Sequence, residues 1–158
     1  MPPQASRKVI FDTNVYICAI RGGAASREYE LLLASLPSTY LCSVVSSELY
    51  VGALDSRGTR LIRGFVSRSE NVGRIVTPTH GSWNEAGRIL AEMGRREPKY
   101  KSMFATLLND ALIAVCALQV GARVCTRNEE DFEGIRRYKR FDLEVIGGSL
   151  RSENYPSS

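Results

Sequence analysis

The sequence predicts an α/β fold, a three-layer α/β/α sandwich around a central, mostly parallel sheet of five strands. Short apolar segments alternate along the chain with longer segments whose apolar residues recur at helical spacing. The short segments are apolar at nearly every position, which is typical of parallel strands covered by helices on both faces. Ligands of such sheets bind beyond the carboxyl ends of the strands, so polar residues that follow strands are candidate functional residues.

The predicted strands are five apolar segments. In chain order they are KVIFD, TYLCS, RIVTP, ARVCT and FDLEVI. The third ends at Pro78, which lacks the N–H that a strand would use in its ladder. Each strand is long enough for one pass through a small sheet.

The predicted helices lie between these strands. In chain order they are NVYICAI, SREYELLLASL, VVSSELYVGAL, TRLIRGFVSRS, a long helix from Thr79 through WNEAGRILAEMGRR, FATLLNDALIAVCALQV, and the short turn NEEDFEGI. Gly22 and Gly23 end the first helix, Ser26 is the predicted N-cap of the second, and Pro98 ends the long one.

Length and composition predict one domain over residues 1–150, with a disordered tail at 151–158. The chain of 158 residues carries 21 Lys and Arg against 17 Asp and Glu, a formal net charge of +4. This mildly basic balance suits a polyanionic partner without requiring one. No apolar run approaches the roughly 20 residues of a membrane helix, and MPPQASRK lacks the apolar segment of a signal peptide. We therefore expect a cytoplasmic protein with no membrane partner.

Histidine and cysteine are too sparse to hold zinc. The one histidine is His80, and the four cysteines form no CxxC pair. All four cysteines lie in apolar segments, where buried free thiols are expected.

Acidic residues occur where burial makes a charge costly. Asp12 ends the strand in VIFDTN, Glu48 lies a few residues after the second strand, and Asp131 follows the fourth strand in TRNEEDF. Because these loops open on the same edge of a parallel sheet, the three acids converge there. Asp110, in the apolar helix LLNDALIAVCALQV, reaches the same edge if the amino end of its helix points toward it.

Each of these acids also has a structural explanation when taken alone. Asp110 is then a capping carboxylate stabilised by the helix dipole. Glu48 is an exposed glutamate in a first helical turn, and Asp131 belongs to a solvated turn with an Asx cap at Asn128.

Four neighbouring carboxylates repel each other unless a cation neutralises them, so the set predicts a metal. Oxygen ligands without histidine or cysteine suit Mg²⁺ or Mn²⁺. Such an ion activates water and stabilises charge on a phosphate under attack. With the basic composition, this favours hydrolysis of a phosphodiester.

At this point the sequence resembles PIN domains, most closely the small VapC-type ribonuclease toxins. The motifs that carry the resemblance are VIFDTN, SSELYVG, LNDALIA and TRNEEDF, which occur in this order between residues 9 and 132. The resemblance implies the three-layer PIN-like fold and a Mg²⁺- or Mn²⁺-dependent endoribonuclease. Its implied metal-binding and catalytic residues are Asp12, Glu48, Asp110 and Asp131.

The resemblance also implies supporting residues and partners. Asn14 orients the first carboxylate or caps the following helix, and Thr126 helps to fix the metal-bound water. Which of Asn128 and Asp131 lies nearer the metal stays open, because some relatives carry an acid at the position of Asn128. The implied partners are an RNA substrate, a second copy in a homodimer, and a small antitoxin whose tail blocks the active site.

Three alternatives remain at this stage. The chain is a PIN-fold protein that binds RNA or antitoxin without cleaving, an RNA-processing nuclease that is not a toxin, or a phosphotransferase of the haloacid-dehalogenase type. The last also places an aspartate after the first strand, but its usual second acid is Asn14 here. Basic clusters that could contact RNA lie at 57–68, in GRREPKYK and in RRYKR, and the sequence does not distinguish among them.

Overall fold

Five parallel strands form one sheet in the computed structural model, which describes residues 7–147. The strands are β1 (Val9–Phe11), β2 (Thr39–Cys42), β3 (Ile75–Val76), β4 (Arg123–Thr126) and β5 (Leu143–Val145). Their order across the sheet is β3-β2-β1-β4-β5, and every pairing is parallel. The predicted α/β sandwich is confirmed, with an entirely parallel sheet. The tail predicted at 151–158 lies outside the described residues.

Seven α-helices connect the strands within this described part of the chain. They are α1 (Thr13–Gly22), α2 (Arg27–Ser35), α3 (Ser43–Gly52), α4 (Ser56–Asn71), α5 (His80–Arg96), α6 (Phe104–Val120) and α7 (Glu129–Arg136). Ser26 caps α2 as predicted, since its hydroxyl accepts a hydrogen bond from the Tyr29 N–H. The main helices therefore match the apolar periodicity of the sequence.

The order in which strands are added reverses at β1. The chain adds β2 and β3 on one side of β1 and then returns to place β4 on the other side. Phe11 pairs with Cys125, and the next residue, Asp12, donates its N–H to the Cys125 carbonyl at 2.8 Å. Asp12 and Thr126 thus stand side by side at the carboxyl edge, where parallel sheets bind ligands.

Helix α6 forms the centre of the core. Residues 111–117 of this helix are all buried, with exposures of 7% or less. By length and composition, the helical segment Pro98–Val120 is long and apolar enough to cross a membrane, contrary to the expectation that no run approaches that length. Half of its most apolar window is buried inside the protein, because the sheet and its neighbouring helices pack against it.

Aromatic contacts hold α1 and α4 against the first strand. The ring of Tyr16 packs edge-on against Phe11 at 6.1 Å and against Phe65 at 5.7 Å between centroids. Ile62 of α4 is also buried. These contacts fix which side of α4 faces the core and which faces solvent. All four cysteines are free, and Cys42, Cys116 and Cys125 are buried as expected.

Candidate active site

Asp12 is held in place by both of its carboxylate oxygens. It is only 5% exposed and caps α1, its Oδ1 accepting the Thr13 N–H at 2.7 Å. Its Oδ2 accepts the Thr126 hydroxyl, also at 2.7 Å. Burial raises the pKa of Asp12, while these two hydrogen bonds oppose the rise by stabilising the charged form. The geometry therefore fixes one carboxylate at the carboxyl end of β1.

Thr126 links this carboxylate to the loop after β4. It is fully buried, and its Oγ1 accepts the Asn128 N–H at 2.9 Å while donating to Asp12. A hydroxyl has one proton to donate. The expected role for Thr126, fixing a metal-bound water, therefore differs from what its proton does here, which is to orient Asp12.

Asn128 and Asp131 form a reciprocal pair at the start of α7. Asn128 is the N-cap, and its Oδ1 accepts the Asp131 N–H at 3.3 Å. Its Nδ2 donates to Asp131 Oδ2 at 2.8 Å. The Asx cap at Asn128 is thus confirmed, and the cap also fixes the direction of the Asp131 carboxylate. Asn128 acts through Asp131 in this arrangement.

Asn14 has a different contact from either one expected. Its Oδ1 accepts the backbone N–H of Arg127 at 3.2 Å, which ties the first turn of α1 to the loop between β4 and α7. The expectation that Asn14 orients the first carboxylate or caps α1 is wrong, because Thr126 orients Asp12 and Asp12 itself caps the helix.

Glu48 faces this edge from α3. It lies in the second turn and is partly buried, so the alternative of an exposed first-turn glutamate is wrong. Its Oε1 is buried and finds no hydrogen-bond partner among the described residues. Burial raises the pKa of Glu48, and the negative charge of Asp12 raises it further. An unpaired carboxylate oxygen in this position is costly without a ligand.

Thr13 is a site residue that sequence reasoning missed. Its side chain is 8% exposed, and its Oγ1 likewise has no hydrogen-bond partner in the described part of the chain. The hydroxyl lies near enough to Glu48 to lower the pKa of that carboxyl. The available signal was the position of Thr13 directly after Asp12, in the first turn of α1, where Asn14 is the other polar residue.

Asp110 completes the set from α6. It is the seventh residue of its helix, so it does not cap the amino end, and that alternative is wrong. Its exposure is 9%. Burial, followed by the charges of Asp12, Asp131 and Glu48, raises the pKa of Asp110 to about 8. The four acids thus lie near enough to influence one another, as their order along the fold predicts.

Between residues 7 and 147, no ion pair joins a basic side chain to any of these four acids. The ion pairs between residues 7 and 147 involve other acids, and none includes Asp12, Glu48, Asp110 or Asp131. Glu129 and Glu130 are exposed, as expected for solvated helix residues. Within the described part of the chain, no ion pair therefore offsets the charge of the four acids.

The donor set fits a hard divalent cation. It consists of carboxylate and hydroxyl oxygens, including the unpaired Oε1 of Glu48 and Oγ1 of Thr13. Within residues 7–147, however, no three Asp, Glu, His or Cys side chains are arranged to hold a metal ion together. The acids were expected a few ångströms apart around a cation, and that spacing stays a prediction.

The chain belongs to the PIN domain family, whose profile matches residues 9–138. This match covers most of the chain and includes all four acids. It confirms the resemblance found in the sequence and sets aside the haloacid-dehalogenase alternative.

Solved structures of bacterial complexes share this fold. The chain is 25% identical to a chain of DNA-bound VapBC from Salmonella typhimurium, with a TM-score of 0.64 over 88% of this chain and 98% of that one. VapBC2 from Rickettsia felis gives 20% identity and a TM-score of 0.62, covering 87% and 97%. A toxin-antitoxin complex from Klebsiella pneumoniae gives 23% identity and a TM-score of 0.56, covering 81% of this chain and 92% of that one. No curated protein sequence matches this chain.

Proposed function

We propose that this protein is a divalent-metal-dependent endoribonuclease and the toxin of a type II toxin-antitoxin pair. The observation that carries the proposal is the group of four acids without a basic partner at the carboxyl edge of a PIN-domain sheet. Membership in the PIN family and likeness to VapBC chains support nuclease chemistry and the toxin role.

The acids divide into fixed and adjustable ligands. Asp12 is held at both oxygens and Asp131 is oriented by Asn128, so these two carboxylates are preorganised. Glu48 and Asp110 have raised pKa values and fewer contacts, so they gain most when a cation arrives. Mg²⁺ or Mn²⁺, bound by these four acids, would supply an activated water and stabilise the charge on the scissile phosphate.

The hydrogen bonds around the acids reduce the free energy needed to rearrange these carboxylates when a metal ion binds. Thr126 and the Thr13 N–H oppose the rise in the pKa of Asp12 that burial causes and fix the direction of its carboxylate, which orients a ligand before substrate arrives. Asp110 holds a proton near neutral pH when no cation is present, because burial, and then the negative charges of Asp12, Asp131 and Glu48, raise its pKa to about 8. Binding of a divalent ion therefore displaces that proton.

The proposed partners follow from the proposed function as a toxin nuclease. The substrate is RNA, and the cognate antitoxin is a small protein, as the toxin-antitoxin complex among the similar structures suggests. We further propose that the protein works as a homodimer in the cytoplasm. The net charge of +4 favours association with a polyanion.

Cleavage assays with single-stranded RNA test the proposal. Wild-type protein is expected to cut RNA in Mn²⁺ or Mg²⁺ and to stop in EDTA. Asp12→Asn and Asp110→Asn are expected to abolish cleavage while circular dichroism shows a retained fold. Undiminished cleavage in EDTA would contradict metal dependence. RNA binding without cleavage in any divalent ion would favour a PIN-fold binding protein instead.

A further inference from the structure

Helix α4 presents a row of arginines to solvent. Arg57, Arg60, Arg63 and Arg68 are all exposed, and none forms an ion pair within residues 7–147. We call these four residues the α4 arginine face. The opposite side of the helix is anchored by Ile62, so the arginines have no role in the core.

The other basic clusters of the sequence are partly neutralised, since five of their eight basic residues form ion pairs in the described structure, and Arg95, Lys101 and Arg140 form none. Ion pairs join Arg96 to Glu92, Lys99 and Arg137 to Glu97, Arg136 to Glu133, and Lys139 to Glu85. A phosphate that binds there must compete with a carboxylate already in place. On the α4 arginine face it displaces only water and counterions, which favours binding. The structure thus separates clusters that the sequence leaves equivalent.

The α4 arginine face continues from the element that carries Glu48. Helix α3 ends at Gly52, and only residues 53–55 separate it from α4. Arg21 of α1 is a further exposed arginine without an ion pair in the described residues, but it lines a groove with Ile62, on the side of α4 opposite the α4 arginine face. Asp55 is the nearest acid in sequence, and its carboxylate already caps α4 by accepting the Gly58 N–H.

The side-chain type favours nucleic acid as the partner. All four basic residues of α4 are arginines, whose planar guanidinium groups bind phosphate oxygens in pairs. From Arg57 to Arg68 they extend about 16 Å along the helix at the usual helical rise. This length suits several phosphates of a strand. The contacts would give affinity without sequence choice.

We propose that the α4 arginine face binds the phosphate backbone of the RNA whose strand is cut at the four acids. The inference rests on the proposed function for the identity of the polyanion. It assigns substrate affinity to a surface that is separate from the candidate metal ligands. Cleavage and RNA binding are therefore separable by mutation.

The test compares two triple variants with the same change in charge. Arg57→Gln/Arg60→Gln/Arg63→Gln alters the α4 arginine face, and Arg95→Gln/Lys101→Gln/Arg140→Gln alters exposed bases elsewhere that also lack ion pairs in the described structure. Binding of a fluorescent, unstructured 20-nucleotide RNA is measured in EDTA at several salt concentrations. Thermal unfolding confirms that both variants fold.

The α4 variant is expected to lose at least tenfold in affinity for RNA. The slope of its log K against log salt concentration is expected to become less negative by about 2. Three lost phosphate contacts on a single strand account for that change at roughly 0.7 each. The control variant should stay within about twofold to threefold of wild type. Equal losses in both variants, or wild-type affinity in the α4 variant, would overturn the proposal. Because no metal is present, the result is independent of whether the protein cleaves RNA.

Discussion

The Thr126 hydroxyl donates a 2.7 Å hydrogen bond to Asp12 Oδ2 and thereby joins the ends of β1 and β4. These residues are 114 positions apart in the chain but adjacent at the carboxyl edge of the sheet. The bond orients the most firmly held carboxylate of the site. Stability and metal binding should therefore depend on the same contact.

Thr126→Val is expected to weaken both properties. The variant keeps the shape of the side chain but leaves Oδ2 of buried Asp12 without its donor and the Asn128 N–H without its acceptor. We expect a loss of about 1–3 kcal/mol in the free energy of unfolding, measured with urea, and reduced RNA cleavage. Thr126→Ser keeps the hydroxyl and should restore most of both. Equal activity of the valine and serine variants would show that the bond is unimportant.

The raised pKa of Asp110 predicts a pH-dependent stability in the absence of metal. The native carboxyl keeps its proton up to about pH 8, while the unfolded chain releases it near 3.8. Since the native state binds more protons between these values, this group makes the free energy of unfolding fall as pH rises through that window. Asp110→Asn removes this contribution. It should raise the melting temperature at pH 8 by at least about 2–4 °C relative to wild type.

The control for this prediction is the same pair of proteins at pH 4. At pH 4 the carboxyl of Asp110 is neutral in the native state, so the Asp110→Asn substitution should raise the melting temperature much less. Saturating Mn²⁺ should stabilise wild type more at pH 8 than at pH 5, because protons compete for the ligands. A variant that is destabilised equally at every pH would contradict the assigned electrostatic cause.

Thr13→Val tests the residue that faces Glu48. Removing a buried hydroxyl without a partner should leave metal-free stability unchanged or slightly higher. Loss of support for Glu48 should weaken Mn²⁺ binding about 10- to 100-fold by isothermal titration calorimetry. Thr13→Ser is the matched control and should bind like wild type. Wild-type affinity in the valine variant would remove Thr13 from the site.

The Asn128→Asp variant separates the capping of α7 from the orientation of the Asp131 carboxylate. Aspartate still caps α7, so the free energy of unfolding should change by less than about 1 kcal/mol. It loses the amide that donates to Asp131 Oδ2 and brings a second negative charge against it. RNA cleavage should therefore fall. Unchanged cleavage with unchanged stability would mean that position 128 binds metal directly when it is acidic.

The sequence predicts those features of the site that depend on topology. Asp12 and Asp131 follow strands, and apolar periodicity is sufficient to place those strands in a parallel sheet. Asp110 was less certain from sequence, because its position depends on which end of α6 reaches the edge. The negative charges of Asp12, Asp131 and Glu48, which add to burial in raising the pKa of Asp110, support the orientation that brings Asp110 to this edge.

The features that the sequence missed depend on side-chain directions. Asn14 contacts the Arg127 backbone, a pairing between loops that no local pattern encodes. The unpaired oxygens of Thr13 and Glu48 depend on how α1 packs beside α3. Among the ion pairs that distinguish α4 from the other basic clusters, Arg137–Glu97 and Lys139–Glu85 likewise join residues that are 40 and 54 positions apart.

Anomalous diffraction from crystals soaked in Mn²⁺ tests the central claim most directly. The account predicts a Mn²⁺ peak within bonding distance of oxygens from Asp12 and Asp110, with Glu48 or Asp131 turned toward the same ion. A saturated crystal without a peak beside Asp12 and Asp110, or with Mn²⁺ bound only elsewhere, would contradict it.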